Sequence, residues 1–464
     1  MTRLTILHTN DLHGRLHPLV RIAALAKTIR REVETGGGYC ALWDAGDAED
    51  TTLFESSITR GSAVMAMLHG AGYELEALGN ASPLRYGPQC VSDLAAQFGQ
   101  PLLCANMIDP QTQAVVEGLA PFVIRRYGEV TVGIIGLTDP MASYQLFKLI
   151  MPAPHDILPS LIDEVRAQGA QTIIVLSHCG SKKDQALAET VKGIDLIIGA
   201  HDHQIIDPPL VVNGTLIVQA GDFGCFLGRL DLELDPITGR IVAHHGALIP
   251  IGDDLPIDED AQAAIDRQRA RVQTITARVI GRSTTPLDLA HDRPSPAGQL
   301  LAEALLDRMQ GEIAVALSGQ WTTGLPAGEI TVGALYAANR SSANPGRARL
   351  TGERILHFLR EAMRPDNRSR TPKGLRGVPI GWPSVAGLRL QFDPTVPDGF
   401  VAYVGSQPLQ LDRTYVVAAT DLEFSDIIGY LNLSDSEVGY ELPTIMPEVL
   451  EDYIATHSPL NVAV

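Results

Sequence analysis

Leu4-Thr5-Ile6-Leu7-His8-Thr9-Asn10-Asp11-Leu12-His13 is the stretch on which the reading of this chain turns. A short apolar run passes directly into residues able to hold a metal. Such a run, bounded by Asn and Asp, reads as a buried strand. In open α/β sheets, ligand-binding side chains collect just beyond strand ends. The same arrangement recurs down the first half of the chain. The run 40–46 leads to Asp47, 74–79 to Asn80, 171–177 to His178, and 195–200 to His201-Asp202-His203. VTVGIIGL (130–137) is a further strand-like run.

Between these runs, VRIAALAKTIRREVE (20–34) and HDILPSLIDEVRAQG (155–169) repeat apolar residues at helical spacing. Together they predict a layered α/β domain. The segment 211–250 predicts strands joined by tight turns, one of them DPITGR. The polar stretch 257–281 has helical spacing and no strand character, so it is expected to be a linker helix between a domain at 1–256 and another at 282–464. The second domain reads as α+β, with a helix in PAGQLLAEALLDRMQG and strands near 385–392 and 414–420.

Composition narrows the function. The 464 residues are 45% hydrophobic and 19% charged, which excludes a disordered or fibrous chain. No apolar run approaches the roughly 18–20 residues of a membrane span. A formal charge of -18 argues against a protein that coats nucleic acid or an anionic membrane. The five cysteines (Cys40, Cys90, Cys104, Cys179, Cys225) are odd in number and lack CxxC spacing, so neither a zinc knuckle nor a disulfide framework is expected. Met1-Thr2-Arg3 leads straight into the first run without a secretory leader, and the expected location is the cytoplasm. The chain offers no clue to its oligomeric state.

Two carboxylates (Asp11, Asp47), one amide (Asn80) and four imidazoles (His13, His178, His201, His203) suit Mn²⁺, Zn²⁺ or Co²⁺ better than Ca²⁺. In Asp11-x-His13 and His201-x-His203, extended backbone would place each pair on one side of the chain. Cys179 and His8 read as buried packing, and Glu49 and Asp50 as a solvated or helix-starting pair.

The pieces ILHTNDLHGRL, DAGD, GN, LSHCG and GAHDH, followed by QAGDFGCFLGRLDLELD, resemble the 5′-nucleotidase/cyclic phosphodiesterase/UDP-sugar hydrolase family of dinuclear metallophosphoesterases. PSPAGQLLAEALLDRM, LPAGEITVGALY and LTGERI extend the resemblance more loosely into the second half. The resemblance implies a four-layer α/β-β/α metallophosphoesterase domain and a C-terminal α+β 5′-nucleotidase-type domain. It implies two divalent ions, one on Asp11, His13, Asp47 and His203, the other on Asp47, Asn80, His178 and His201. The implied activity is hydrolysis of a small-molecule phosphate ester, a nucleotide above all, by metal-activated water.

Two departures stand out. Where the family reads Gly-Asn-His-Glu-Phe-Asp, this chain has Gly79-Asn80-Ala81-Ser82-Pro83-Leu84. The catalytic His and Asp positions are therefore Ala81 and Leu84, and substitutes are sought in Arg85, Arg15 and His17. A slow phosphoesterase, a recruited substitute, a substrate with a better leaving group, and a weakly catalytic nucleotide- or metal-binding protein all remain open. The family's phosphate-facing arginine is also missing around Ser318-Gly319-Gln320, where Arg340, Arg347 and Arg349 could replace it. By the same resemblance Trp382 and Tyr430 would clamp a nucleobase.

Overall fold

The structure, a computed structural model, describes residues 1–50, 53–372, 375 and 378–463. It divides into two compact units, Met1–Val272 and Gln273–Val464. Within the stretch 257–281 expected to be a linker helix, the helix spans Glu259–Thr276, and Val279–Ser283 is instead a strand paired with Gly328–Thr331. The division falls inside that helix, because Ala261, Ala264 and Ile265 bury its first half within the first unit.

Two sheets form the middle of the first unit. One runs, in spatial order, Ile241–Pro250, Phe226–Leu234, Thr2–Thr9, Tyr39–Asp44, Leu75–Glu76. The other runs Ile205–Val212, Thr215–Ala220, Leu196–Gly199, Thr172–His178, Val130–Thr138, Phe122–Tyr127. Thr2–Thr9 pairs parallel to Tyr39–Asp44, with Leu4 opposite Tyr39 and Thr9 opposite Asp44. The two strands therefore end together, and the loops carrying Asp11 and Asp47 leave side by side.

Strand alternation sorts the core into layers. Leu4, Ile6, Trp43, Ile174, Leu176 and Ile198 fill the space between the sheets. Leu7 and Leu42 turn the other way, onto the helices Leu16–Thr35, Ser62–Gly70 and Cys90–Phe98. Ile173, Val175 and Ile197 turn onto Pro154–Ala167 and Ser181–Thr190. The result is helix, sheet, sheet, helix, the four-layer arrangement. Trp43 is fully buried between the sheets, and truncating so large a ring to Ala would cost about 3–5 kcal/mol.

The second unit has a five-stranded sheet in the order Pro383–Ala386, Ile313–Leu317, Thr414–Thr420, Pro345–Thr351, Val438–Tyr440. Pro296–Met309 packs against it; Ser295 caps this helix by accepting from Gly298 N–H, and Pro296 takes the first turn, where no amide partner is needed. A three-stranded sheet, Arg389–Phe392, Phe400–Val404 and Gln407–Pro408, completes the α+β unit. No helix among the described residues is long and apolar enough to cross a membrane.

Candidate metal centre

Both expected pincer pairs sit on left-handed backbone: Asp11 (φ 50°), His13 (46°), His201 (81°) and His203 (56°). The extended pincer expected for these two pairs is therefore corrected. Asp47 is a fifth, at φ 55°. What holds Asp11 and His13 is a ladder onto the neighbouring loop: Asp11 N–H donates to Gly46 O at 2.9 Å, His13 N–H to Asp47 O at 3.0 Å, and Gly14 N–H to Ala48 O at 2.7 Å. Non-glycine residues in this region carry strain of about 1–3 kcal/mol each, the kind of cost that clusters at functional sites.

The loops bring the ligand atoms together. One atom each from Asp11, His13 and His203 lies within 4.8 Å of the others, and the same holds for Asp11, Asp47 and His178. His13 Nε2 stands 3.7 Å and His203 Nε2 3.5 Å from Asp11 Oδ1. His178 Nε2 stands 3.3 Å from Asp47 Oδ2. The rings of His178 and His201 are 5.1 Å apart. Three buried atoms of the set have no hydrogen-bond partner: Asp11 Oδ1, Asn80 Oδ1 and His178 Nε2. Leaving such groups unpaired costs about 1–3 kcal/mol each. Bound divalent ions would satisfy these atoms, so the residues fit the metals the resemblance implies.

Several other polar atoms of the ligands have partners. Asp11 Oδ2 accepts from His201 N–H at 2.9 Å and from Asn10 Nδ2 at 2.8 Å. Asn10 is itself clamped by Gly221 O and Ala220 N–H. Asp47 Oδ1 accepts from Ala81 N–H at 2.8 Å. His178 Nδ1 meets Ala45 O at 3.0 Å, and His203 Nδ1 meets Asp222 Oδ2 at 2.9 Å. Partners of this kind fix ring orientation and leave the other nitrogen for metal. His201 Nε2 faces Asp139 Oδ2 at 3.6 Å, and Lys183 holds the same carboxylate. Burial opposes the charge on Asp47, yet His178 and the Ala81 amide outweigh it and hold the carboxyl down to about 2. Burial likewise opposes the charge on His178, and Asp47 and Asp11 outweigh it.

Asn10, Asp139, Asp222 and Phe223 belong to the centre and were not singled out from sequence. Asp139 directly follows the strand Val130–Thr138, so the rule that found Asp47 and His178 also points to it. Asn10, Asp222 and Phe223 lie inside motifs already quoted, masked by the more obvious ligands. Glu49 is a correction: it is only 2% exposed, and burial together with Asp47 pushes its carboxyl up to about 7, with Ser82 opposing. It is a buried neighbour of the site and no solvated residue. Cys179 and His8 are buried at 2% each.

Among the proposed substitutes, His17 is 67% exposed at its side chain and faces Asp253 at 3.4 Å. Arg85 is half-buried in the short helix Ala81–Tyr86, with interactions of its own. The Arg15 guanidinium lies 4.7 Å over the Phe223 ring. In the second unit, Trp382 is half-buried, with Phe392 at 6.0 Å and Arg368 at 5.1 Å from its ring. Tyr430 is only 7% exposed and packs on Phe358, so little of its ring is open to a ligand. No ring contact joins Trp382 to Tyr430 among the described residues. Arg340 is exposed, and Arg347 and Arg349 project from the strand Pro345–Thr351 to solvent.

Comparison with known proteins agrees with this geometry. The sequence model of the family "5'-nucleotidase, C-terminal domain" matches residues 279–433. An uncharacterised metallophosphoesterase of Bacillus subtilis, YunD, is 24% identical over 98% of this chain and 98% of its own length. The second half of the chain thus matches the 5′-nucleotidase C-terminal domain, and the chain along its length is similar to a metallophosphoesterase. The bovine 5′-nucleotidase is 27% identical over 66% of this chain, and the match spans 60% of that enzyme. The solved structure of a 5′-nucleotidase precursor from Thermus thermophilus covers 100% of this chain and 98% of its own, with a TM-score of 0.54 at 24% identity, a likeness of fold. Similarity to a metallophosphoesterase implies divalent metal ions, and the Asp and His clusters above are candidate ligands for them.

Proposed function

We propose that this protein is a phosphoesterase with two divalent ions that hydrolyses a nucleotide phosphate ester, a nucleoside 5′-monophosphate being the first substrate to test. The observation that carries the reading is the cluster of Asp11, Asp47 and His178, with ligand atoms within 4.8 Å of one another, in which Asp11 Oδ1 and His178 Nε2 are buried without a hydrogen-bond partner. Asp11, His13, Asp47 and His203 would hold one ion; Asp47, Asn80, His178 and His201 the other. The pairing of Asp11 Oδ1 with the Nε2 atoms of His13 and His203 supports the first set, and the approach of Asp47 Oδ2 to His178 supports the second. Asp47 is suited to bridge, since the Ala81 amide holds its Oδ1 while its Oδ2 faces His178 Nε2, one of the nitrogens that would bind metal. When bound, ions in such a site lower the pKa of water and offset charge on the phosphoryl oxygens.

The chain's own part is orientation. Ala45 O, Asp222 and Asp139 fix three imidazoles, and Asn10 with the His201 amide fixes Asp11. Mn²⁺, Zn²⁺ and Co²⁺ match this mixed imidazole and carboxylate set. A specific observation also favours a second reading. Ala81 carries no proton donor or cation, and a missing general acid or charge stabiliser costs about 10²–10⁴ in rate. A monoester or diester with a good leaving group would suffer less. A screen of nucleoside monophosphates, aryl phosphates and diesters, with and without chelator, tests both. Chelator-sensitive hydrolysis of nucleoside monophosphates supports the first reading; activity confined to aryl esters or diesters supports the second; none at all would leave a binding protein.

A further inference from the structure

The position of Ala81 raises the question of which group meets the negative charge of the phosphoryl oxygens beside the metals. Four basic side chains are candidates. His17 points into solvent beside Asp253, Lys183 is bound to Asp139, and Arg85 is half-buried with interactions of its own. Arg15 differs from all three. It is exposed, and no carboxylate among the described residues lies within ion-pair reach of it.

Arg15 is nevertheless held in place. Its guanidinium lies 4.7 Å over the ring of Phe223. That ring is 5.7 Å from the imidazole of His13 and 5.8 Å from that of His203. Phe223 sits on left-handed backbone, φ 54°, and its N–H donates to Asp11 O at 2.8 Å. A bulky aromatic residue in that conformation is a costly placement, and here it puts a ring against two proposed metal ligands while tied to a third. The ring thus forms one wall of the metal centre, and the guanidinium rests on that wall. Stacking leaves the N–H edge of a guanidinium free, and that edge matches phosphate oxygens bidentately.

We propose that Arg15, positioned by Phe223, contacts the phosphoryl oxygens of the substrate and supplies the charge stabilisation that Ala81 cannot. This rests on the phosphoesterase reading above. Arginine keeps its proton at any working pH, so the role is to offset charge and not to protonate the leaving oxygen. Losing one such donor typically lowers kcat by about 10²–10³-fold.

The test uses the full chain loaded with Mn²⁺ and p-nitrophenyl phosphate as the ester. Arg15→Ala should lower kcat by about 10²–10³-fold with metal content and melting temperature unchanged. Arg15→Lys should recover only part of the loss, because an ammonium neither stacks as a plane nor binds bidentately. Phe223→Leu should lower kcat by less than Arg15→Ala while leaving the charge in place. An Arg15→Ala protein that keeps more than about one third of native kcat overturns the proposal. So does one whose loss is explained by missing metal. If the native protein hydrolyses no ester, the phosphoesterase reading fails first, and inorganic phosphate becomes the probe. Arg15→Ala must then weaken phosphate binding to the metal-loaded protein by at least about tenfold, and unchanged binding overturns Arg15 independently.

Discussion

Ala81 does part of the work its position calls for. Its backbone N–H still donates to Asp47 Oδ1 at 2.8 Å, so the loop still orients the carboxylate proposed to bridge. Its methyl group supplies neither proton nor charge. Ala81→His with Leu84→Asp should therefore raise turnover on nucleoside monophosphates by about tenfold or more. Ala81→His alone should gain less, since an unanchored imidazole is not held in one tautomer. Steady-state kinetics checks this, and no gain in the double variant would mean that the pocket is shaped for another ester. At this scale the sequence was informative about chemistry and silent about conformation. Side-chain type after each apolar run identified all seven candidate ligands. The left-handed backbone at Asp11, His13, His201 and His203 was not visible, because Asp and His in loops adopt either region and the hydrogen bonds that select one come from distant loops. Glu49 shows the same blindness: its burial depends on the helix Ala81–Tyr86 arriving beside it with Ser82.

Among the elements, the loop after Leu75–Glu76 shows how tightly the scaffold is fitted to the ligands. A Cβ on Gly79 would lie 2.0 Å from Asp47 Oδ1 and 2.3 Å from Asp47 N. Neither atom can yield without moving Asp47. Gly79→Ala is thus expected to fold, lose at least one equivalent of metal, and lose hydrolysis by about 10²-fold or more, since ligands displaced by an ångström lose productive geometry. Metal analysis beside circular dichroism distinguishes this from unfolding, and full metal occupancy would contradict it. The strands were legible where burial on both faces makes a long apolar run, as in Val130–Thr138 and Thr172–His178. The run at 74–79 reads equally well as a strand, yet only Leu75–Glu76 forms one, with Ala77 adding a lone bridge to Leu103. Its remainder is taken into the ligand loop, a tertiary demand that local pattern does not carry.

For the whole molecule, the acidic charge and the phosphate reading are compatible, because the two dications proposed would add about four positive charges against the carboxylates of Asp11 and Asp47. The 5′-nucleotidase C-terminal domain, matched over 279–433, was legible only loosely. Its motifs are short, and its rings gain meaning only from neighbours such as Arg368 and Phe392 beside Trp382, which no spacing reveals. If Trp382 stacks on a base, Trp382→Ala should raise KM for a nucleotide by about 10–100-fold and leave p-nitrophenyl phosphate almost untouched. Equal losses on both substrates would make Trp382 a packing residue. The central claim, a dinuclear centre bridged by Asp47, is tested most directly by elemental analysis of native protein and Asp47→Asn after equal metal loading. The native chain should hold about two equivalents and the variant fewer than about one, because a neutral amide does not balance two dications. Two full equivalents in Asp47→Asn, or none in the native protein, would contradict the account.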